Sequence, residues 1–169
     1  MTIEAHDRSA ENTPPVGFEE HDHRACVEQT LATAEAYCAA KGLRLTPVRR
    51  KVLELLAREH RALGAYAILD LLGDAGFGSQ PPVAYRALDF LVEHGFAHKI
   101  ERLNAFVACN HPDRSHSPAF LICRACGTVD VTIVSDGGLR RPAKAAGFQI
   151  EKTVVEAEGL CPTCQDTPS

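Results

Sequence analysis

Four of the seven cysteines stand as two C-x2-C pairs, Cys123-Arg124-Ala125-Cys126 and Cys161-Pro162-Thr163-Cys164, with 34 residues between them. A C-x2-C pair can aim two thiolates at one point. Two such pairs make a tetrahedral shell that suits zinc and closes around it, leaving no position for a substrate. In a reducing compartment structural disulfides are rare, so grouped cysteines read as metal ligands or redox groups. Each pair is expected at a strand end or turn, and neither at the start of a helix in a βαβ unit, which counts against a redox dithiol. Cys123, Cys126, Cys161 and Cys164 are therefore expected to hold a structural zinc, with an iron–sulfur cluster as the lesser alternative.

A second set of ligand types lies between the two halves of the chain. His98 lies on the first strand of a hairpin-like pattern, Cys109 ends its second strand, His116 follows seven residues after Cys109, and His111 and Asp130 are further candidates. Ligands drawn from both halves would let one ion set the angle between them. A mixture of nitrogen, sulfur and oxygen donors suits zinc, and the thiolate argues against manganese or magnesium. Cys26 and Cys38, both within the first apolar-periodic segment, read as small buried hydrophobes.

The elements that must position these groups follow from the apolar periodicity. Val27, Leu31, Ala34 and Cys38 predict a helix over 25–40, stopped by Gly42. Thr46-Pro47, a capping hydroxyl before a proline, starts a second helix with the stripe Val48, Val52, Leu55 and Leu56. Ala65, Ile68, Leu69, Leu71 and Leu72 predict a third, closed by Gly73, and a fourth runs from Pro81-Pro82 to Gly95. The period then changes to two in Phe96–Ile100 and Ala105–Cys109, a hairpin. Helices followed by a hairpin give the order of a winged helix-turn-helix, whose last helix enters the major groove of DNA. In the second half, 120–122, 129–134 and 148–155 read as strands and 139–146 as a helix ended by Gly147. An α+β unit of about 50 residues is small for a self-sufficient core and calls for a metal or a second subunit.

The chain has 169 residues, with 18 Lys+Arg against 22 Asp+Glu and a net charge of −4. Residues 1–24 hold six acidic residues against Arg8 and Arg24, so this expected disordered acidic tail carries the whole net charge and the remainder is neutral. The overall acidity thus says little about partners. Between Arg44 and Arg61 a local excess of Arg44, Arg49, Arg50, Lys51, Arg58 and Arg61 over Glu54 and Glu59 offers phosphate contacts. No apolar run approaches the ~20 residues of a membrane span. The opening residues lack a basic start followed by an apolar stretch, so a cytoplasmic location is expected.

The segment Leu45-Thr46-Pro47-Val48-Arg49-Arg50, the run Pro82-Val83-Ala84-Tyr85-Arg86-Ala87-Leu88, the stretch Gly95-Phe96-Ala97-His98-Lys99-Ile100 and the two C-x2-C pairs together resemble the ferric uptake regulator family of metal-responsive repressors. The likeness is strongest to its zinc branch, the zinc uptake regulators, and spans residues 25 to 165. It implies an α+β homodimer with a winged-helix domain over 25–108, a hinge over 109–116 and a zinc-stabilised dimerisation domain over 117–169. It also implies a zinc-dependent repressor of zinc uptake genes, without enzymatic activity, that binds palindromic AT-rich operator DNA. The family's structural zinc falls on Cys123, Cys126, Cys161 and Cys164, and its regulatory zinc on His98, Cys109 and His116. The fourth regulatory ligand does not match: the family's carboxylate position is Val131 here, leaving the neighbouring Asp130 or His111. Tyr85 and Arg86 match the family's recognition-helix pair, Tyr66 resembles its other DNA-contacting tyrosine, and Arg44 and Arg49 are positioned for phosphate. Two alternatives remain at this point. One is an iron, manganese or peroxide sensor of the same family, which Cys109 disfavours; the other is a zinc-dependent hydrolase or deaminase, and the chain lacks the H-x-E and P-C-x-x-C signatures of the latter.

Overall fold

The computed structural model describes residues 23–59, 61–109, 117–134 and 137–166. Residues 1–22 of the expected acidic tail, His111 and His116 lie outside them, while His23 and Arg24, expected in that tail, open the first helix. Four helices come first: α1 (His23–Lys41), α2 (Pro47–Arg58), α3 (Ala65–Asp74) and α4 (Pro81–Glu93), with the short strand β1 (Leu63–Gly64) before α3. Thr46 caps α2 as its type predicts: its backbone is extended and its hydroxyl accepts the Arg49 N–H at 3.4 Å, with Pro47 opening the helix. At the far end of α4, Gly95 adopts φ +75° and lets the Phe96 N–H reach back to the Leu91 carbonyl at 2.8 Å.

The hairpin of β2 (Ala97–Ile100) and β3 (Ala105–Ala108) follows, and β1 adds to it in the order β1-β3-β2. This is the wing. Its two faces serve two cores, because alternate strand residues point to opposite sides. Phe106 and Ala97 join the large helical core formed by Leu53, Leu56, Ile68, Leu88, Leu91 and their neighbours. Ile100 and Val107 turn the other way and pack on Phe120, Ile122 and Val129.

Those last three belong to a second sheet, of β4 (Pro118–Cys123), β5 (Val129–Ile133) and β6 (Val155–Gly159), in the order β5-β4-β6. The β4–β5 pair is antiparallel and the β4–β6 pair parallel. The helix α5 (Gly137–Ala145) and the one-turn α6 (Pro162–Gln165) complete the chain. A winged helix first and a small α+β unit carrying the four clustered cysteines second is the expected fold class.

The last strand differs from expectation. The alternation of Phe148, Ile150 and Val154 fits a strand, yet 148–154 forms none and β6 begins only at Val155. The parallel register pairs Val155 with Ala119, so Val154 would fall level with Pro118 at the very start of β4. Proline has no N–H to give to a ladder, and beyond it β4 offers nothing to pair with.

Candidate metal centres and nucleic-acid surface

The four sulfur atoms of Cys123, Cys126, Cys161 and Cys164 lie within 4.8 Å of one another. Cys123 closes β4, and the turn after it is held by the Gly127 N–H on the Cys123 carbonyl, 2.9 Å, with Gly127 at φ +74°. Only a residue free to take positive φ allows the chain to double back so that Cys126 faces Cys123. The second pair follows β6, and Cys161 is the N-cap of α6. The second pair does open a helix, but not one within a βαβ unit, as expected. The helix is a single turn and no βαβ unit surrounds it, so the thiols meet each other rather than forming a lone redox dithiol.

Zn–S bonds of about 2.3 Å in a tetrahedron separate the sulfurs by roughly 3.8 Å. Cys126 and Cys161 stand 3.7 Å apart. The thiols are also graded in acidity. Backbone N–H groups, first that of Cys161 at 3.4 Å and then that of Cys126, lower the Cys123 thiol to about 6. The Thr128 hydroxyl, 3.1 Å from its sulfur, lowers Cys126. Hydrogen bonds from Cys164 to Cys161 and Cys126 hold its proton and push it up to about 12. None of the seven cysteines is in a disulfide. Among the described residues these four alone converge as a metal-ligand group, and their donor set and spacing fit tetrahedral zinc.

The second set lies where the wing meets the second sheet. His98, half-buried on β2, presents its ring edge-on to Phe120 with centroids 5.8 Å apart. Cys109 is buried one residue past β3 and donates its N–H to the Phe96 carbonyl at 2.8 Å. Extending the pleat of β3 by one residue puts Cys109 on the same side as Val107, the residue paired with His98. Asp130 is buried on β5, but it pairs with Leu121, whereas Val131 pairs with Phe120. Alternation thus turns Val131 toward the wing and Asp130 to the other face of the sheet. Of the remaining cysteines, Cys38 is buried as expected and its thiol is raised by that burial, while Cys26 is exposed, against expectation. Position 26 lies next to the buried Val27 but about 100° round the helix from it, off the stripe of Val27, Leu31, Ala34 and Cys38 that the core covers.

The nucleic-acid candidates are outward-facing. Tyr66, in the first turn of α3, is 78% exposed, and on α4 Tyr85 and Arg86 are exposed beside the buried Ala84, Ala87 and Leu88. Arg44 is exposed. Arg49 is engaged within the fold: its guanidinium lies 3.7 Å from the centroid of the Phe90 ring and donates to the Arg44 carbonyl at 2.6 Å. Three other members of the basic run are paired, Arg50 with Glu35 at 2.8 Å, Lys51 with Glu54 at 3.2 Å, and Arg58 with Glu54. Counting basic residues overstated the free positive charge of α2, because the acidic partners of Arg50, Lys51 and Arg58 come from one turn away or from α1.

No protein-family model matches the chain. The zinc uptake regulation protein of Escherichia coli strain K12 is 40% identical over 144 residues, covering 83% of this chain and 84% of that protein. The chain belongs to the zinc uptake regulators, a branch of the ferric uptake regulator family. A solved zinc uptake regulator in complex with zinc and DNA superposes with a TM-score of 0.79 at 40% identity, covering 83% of this chain and 95% of the other. The holo form of the regulator XcZur matches with a TM-score of 0.74 at 43% identity, over 81% of this chain and 97% of that one. Its apo form matches with 0.50 at 40% identity, over 83% and 99%. This member of the family is accordingly a regulator and not an enzyme, which removes the hydrolase alternative. Among the described residues no helix is long and apolar enough to cross a membrane.

Proposed function

We propose that this zinc uptake regulator is a zinc-responsive transcriptional repressor that binds palindromic, AT-rich operator DNA as a zinc-loaded homodimer in the cytoplasm. The observation that carries the reading is the outward display of Tyr66, Tyr85 and Arg86 on a winged helix whose wing packs, on its other side, against the metal-bearing sheet. An arginine at Arg86's place can take two acceptors on guanine, and the tyrosines can lie against sugar, phosphate or a thymine methyl. Arg44 supplies a phosphate contact. Arg49, held on Phe90, supplies one only with the part of its guanidinium that the ring and the Arg44 carbonyl leave free.

The homodimer is supported by the apolar surface of the second half. Ile133 on the edge strand β5, Leu139 on α5 and Phe148 after it are 48%, 51% and 68% exposed. An open strand edge beside exposed apolar side chains is a liability for a lone chain and suits coverage by a second copy.

Two zinc sites per chain are proposed. Cys123, Cys126, Cys161 and Cys164 hold the structural ion. His98, Cys109 and His116 hold the regulatory one, and Asp130 is its proposed carboxylate with His111 as rival. The β4–β5 register runs without a bulge through Val129–Ile133, which favours His111 unless β5 shifts by one residue. When bound at the hinge, zinc ties the wing to the segment leading into β4. His98 and Cys109 then move only with the second sheet, so the two recognition helices of a dimer keep one spacing. The ion favours that arrangement only through its differential affinity for it.

A gel-shift on an AT-rich palindrome, with zinc, with iron(II) and with chelator, tests the proposal. Retardation is expected with zinc and its loss with chelator. Equal retardation by iron(II), or retardation that ignores chelator, overturns it. Cys109→Ser should remove the zinc response while leaving the four-thiol site filled, and operator and zinc should tighten each other by one factor, about 5–150-fold.

A further inference from the structure

Strand β6 reads Val155-Glu156-Ala157-Glu158-Gly159, and its two acidic residues occupy a surprising row. In the parallel register Glu156 stands beside Phe120 and Glu158 beside Ile122, the residues of β4 that pack under the wing. Both carboxylates therefore rise on the face of the sheet toward the wing, where a strand of a small core would ordinarily place apolar side chains. They meet the wing tip. The Glu156 carboxylate accepts the Glu101 N–H at 2.9 Å and the Arg102 N–H at 3.3 Å, and Glu158 pairs with the Arg102 guanidinium at 2.6 Å. Two adjacent backbone donors on one carboxylate form a charge-assisted grip that fixes direction as well as distance. Below it, the apolar cluster shared with the hairpin and a bridge between Arg61, just before β1, and Thr128 join the first sheet to the second.

The same strand is anchored to the metal site. Gly159 pairs with Cys123, its carbonyl accepts the Arg124 N–H at 2.9 Å, and two residues on the Cys161 N–H points at the Cys123 sulfur. One short strand thus runs from the four thiols to the wing tip.

We propose that Glu156 and Glu158 are positioning residues for DNA recognition: they clasp the wing tip to β6 and hold the winged helix at a fixed angle to the metal-bearing sheet. The four-thiol site, by holding the end of β6, then sets operator binding as well as folding. This inference rests on the DNA-binding reading above.

The test uses the full-length, zinc-loaded protein and the variants Glu156→Ala, Glu156→Gln and the double variant Glu156→Ala/Glu158→Ala. Three quantities are measured: hydrogen exchange at the Glu101 and Arg102 amides, zinc content, and affinity for the palindrome. General electrostatics makes a prediction of opposite sign to the clasp, since removing negative charge from a DNA-binding protein should strengthen binding. The clasp predicts faster exchange at both amides, unchanged zinc content and operator binding about tenfold weaker for Glu156→Ala, as expected for losing hydrogen bonds to a charged group. Glu156→Gln, which keeps one carbonyl acceptor, should fall between and guards against a variant that merely misfolds. Unchanged amide protection overturns the clasp, and lost protection with equal or tighter operator binding overturns the positioning role. A parent that binds no operator with zinc overturns the function reading and the positioning role with it, while amide exchange still decides the clasp itself.

Discussion

The helical half buries twenty side chains in one cluster, from Val27 on α1 to Phe106 on the wing, whereas the second sheet contributes Phe120, Ile122 and Val129 to a cluster of five that it shares with the wing. One half can fold on apolar burial. The other has too little of it and uses two external supports, the thiols at one end of β6 and the wing along its face. Signals can therefore enter through the second half: a unit that is complete by itself transmits little, while a unit that needs an ion and a neighbour changes when either is lost.

The largest expected effect breaks the dependent half. Cys161→Ser should lose the structural zinc and unfold the second sheet, because metal binding to such sites is worth on the order of 10–16 kcal/mol of folding free energy in small domains. The α1–α4 helices should survive, so circular dichroism would retain its helical signal while proteolysis cuts within 117–166. Coupled loss of both halves would show that they are not separately supported. Acidity sharpens the same point. At pH 7 a Cys123 thiol lowered to about 6 is largely ionised, whereas a Cys164 thiol pushed up to about 12 keeps its proton. Zinc binding there should release protons, that of Cys164 among them, and calorimetry in buffers of different ionisation enthalpy would count them. Below pH 6 the metal-free Cys123 thiol also holds a proton, so zinc affinity should fall more steeply with acidification there than above it.

Leu53→Ala, fully buried on α2, should cost about 2–5 kcal/mol in the helical half and leave zinc content intact. Thermal unfolding followed by helical signal, with metal analysis alongside, checks it. Arg86→Ala should cost about 1–3 kcal/mol of operator affinity and relax selection at one base position, with no loss of stability, since the side chain is exposed. Operator variants in a binding competition would reveal unchanged selectivity if Arg86 does not read a base. The smallest effect is Thr46→Ala. Losing the cap of α2 should cost about 1 kcal/mol, seen as a modest fall in the denaturant midpoint.

Several elements were readable from residue types alone. Thr46-Pro47 and Gly95 bounded α2 and α4 because capping and positive φ are local demands. The four cysteines announced a metal site because only a few residue types bind zinc and C-x2-C spacing puts two of them on one turn. Cys26 and the strand over 148–155 were misread, since burial and pairing depend on a neighbour that lies elsewhere in the chain. Composition showed the excess of Arg49, Arg50, Lys51 and Arg58 over Glu54, but not that Phe90 and Glu35, from α4 and α1, engage Arg49 and Arg50.

What the sequence determined by itself was thus the set of local commitments: where helices start and stop, which faces are apolar and which side chains can hold a cation. The register of β4 against β5 and β6 was decided only in three dimensions. It turned Val131 rather than Asp130 toward the wing and set Glu156 and Glu158 beneath the wing tip. The physical reason is the period of two. A shift of one residue inverts every side chain of a strand, and what selects the register is the packing of Phe120 and Ile122 against a hairpin about twenty residues upstream.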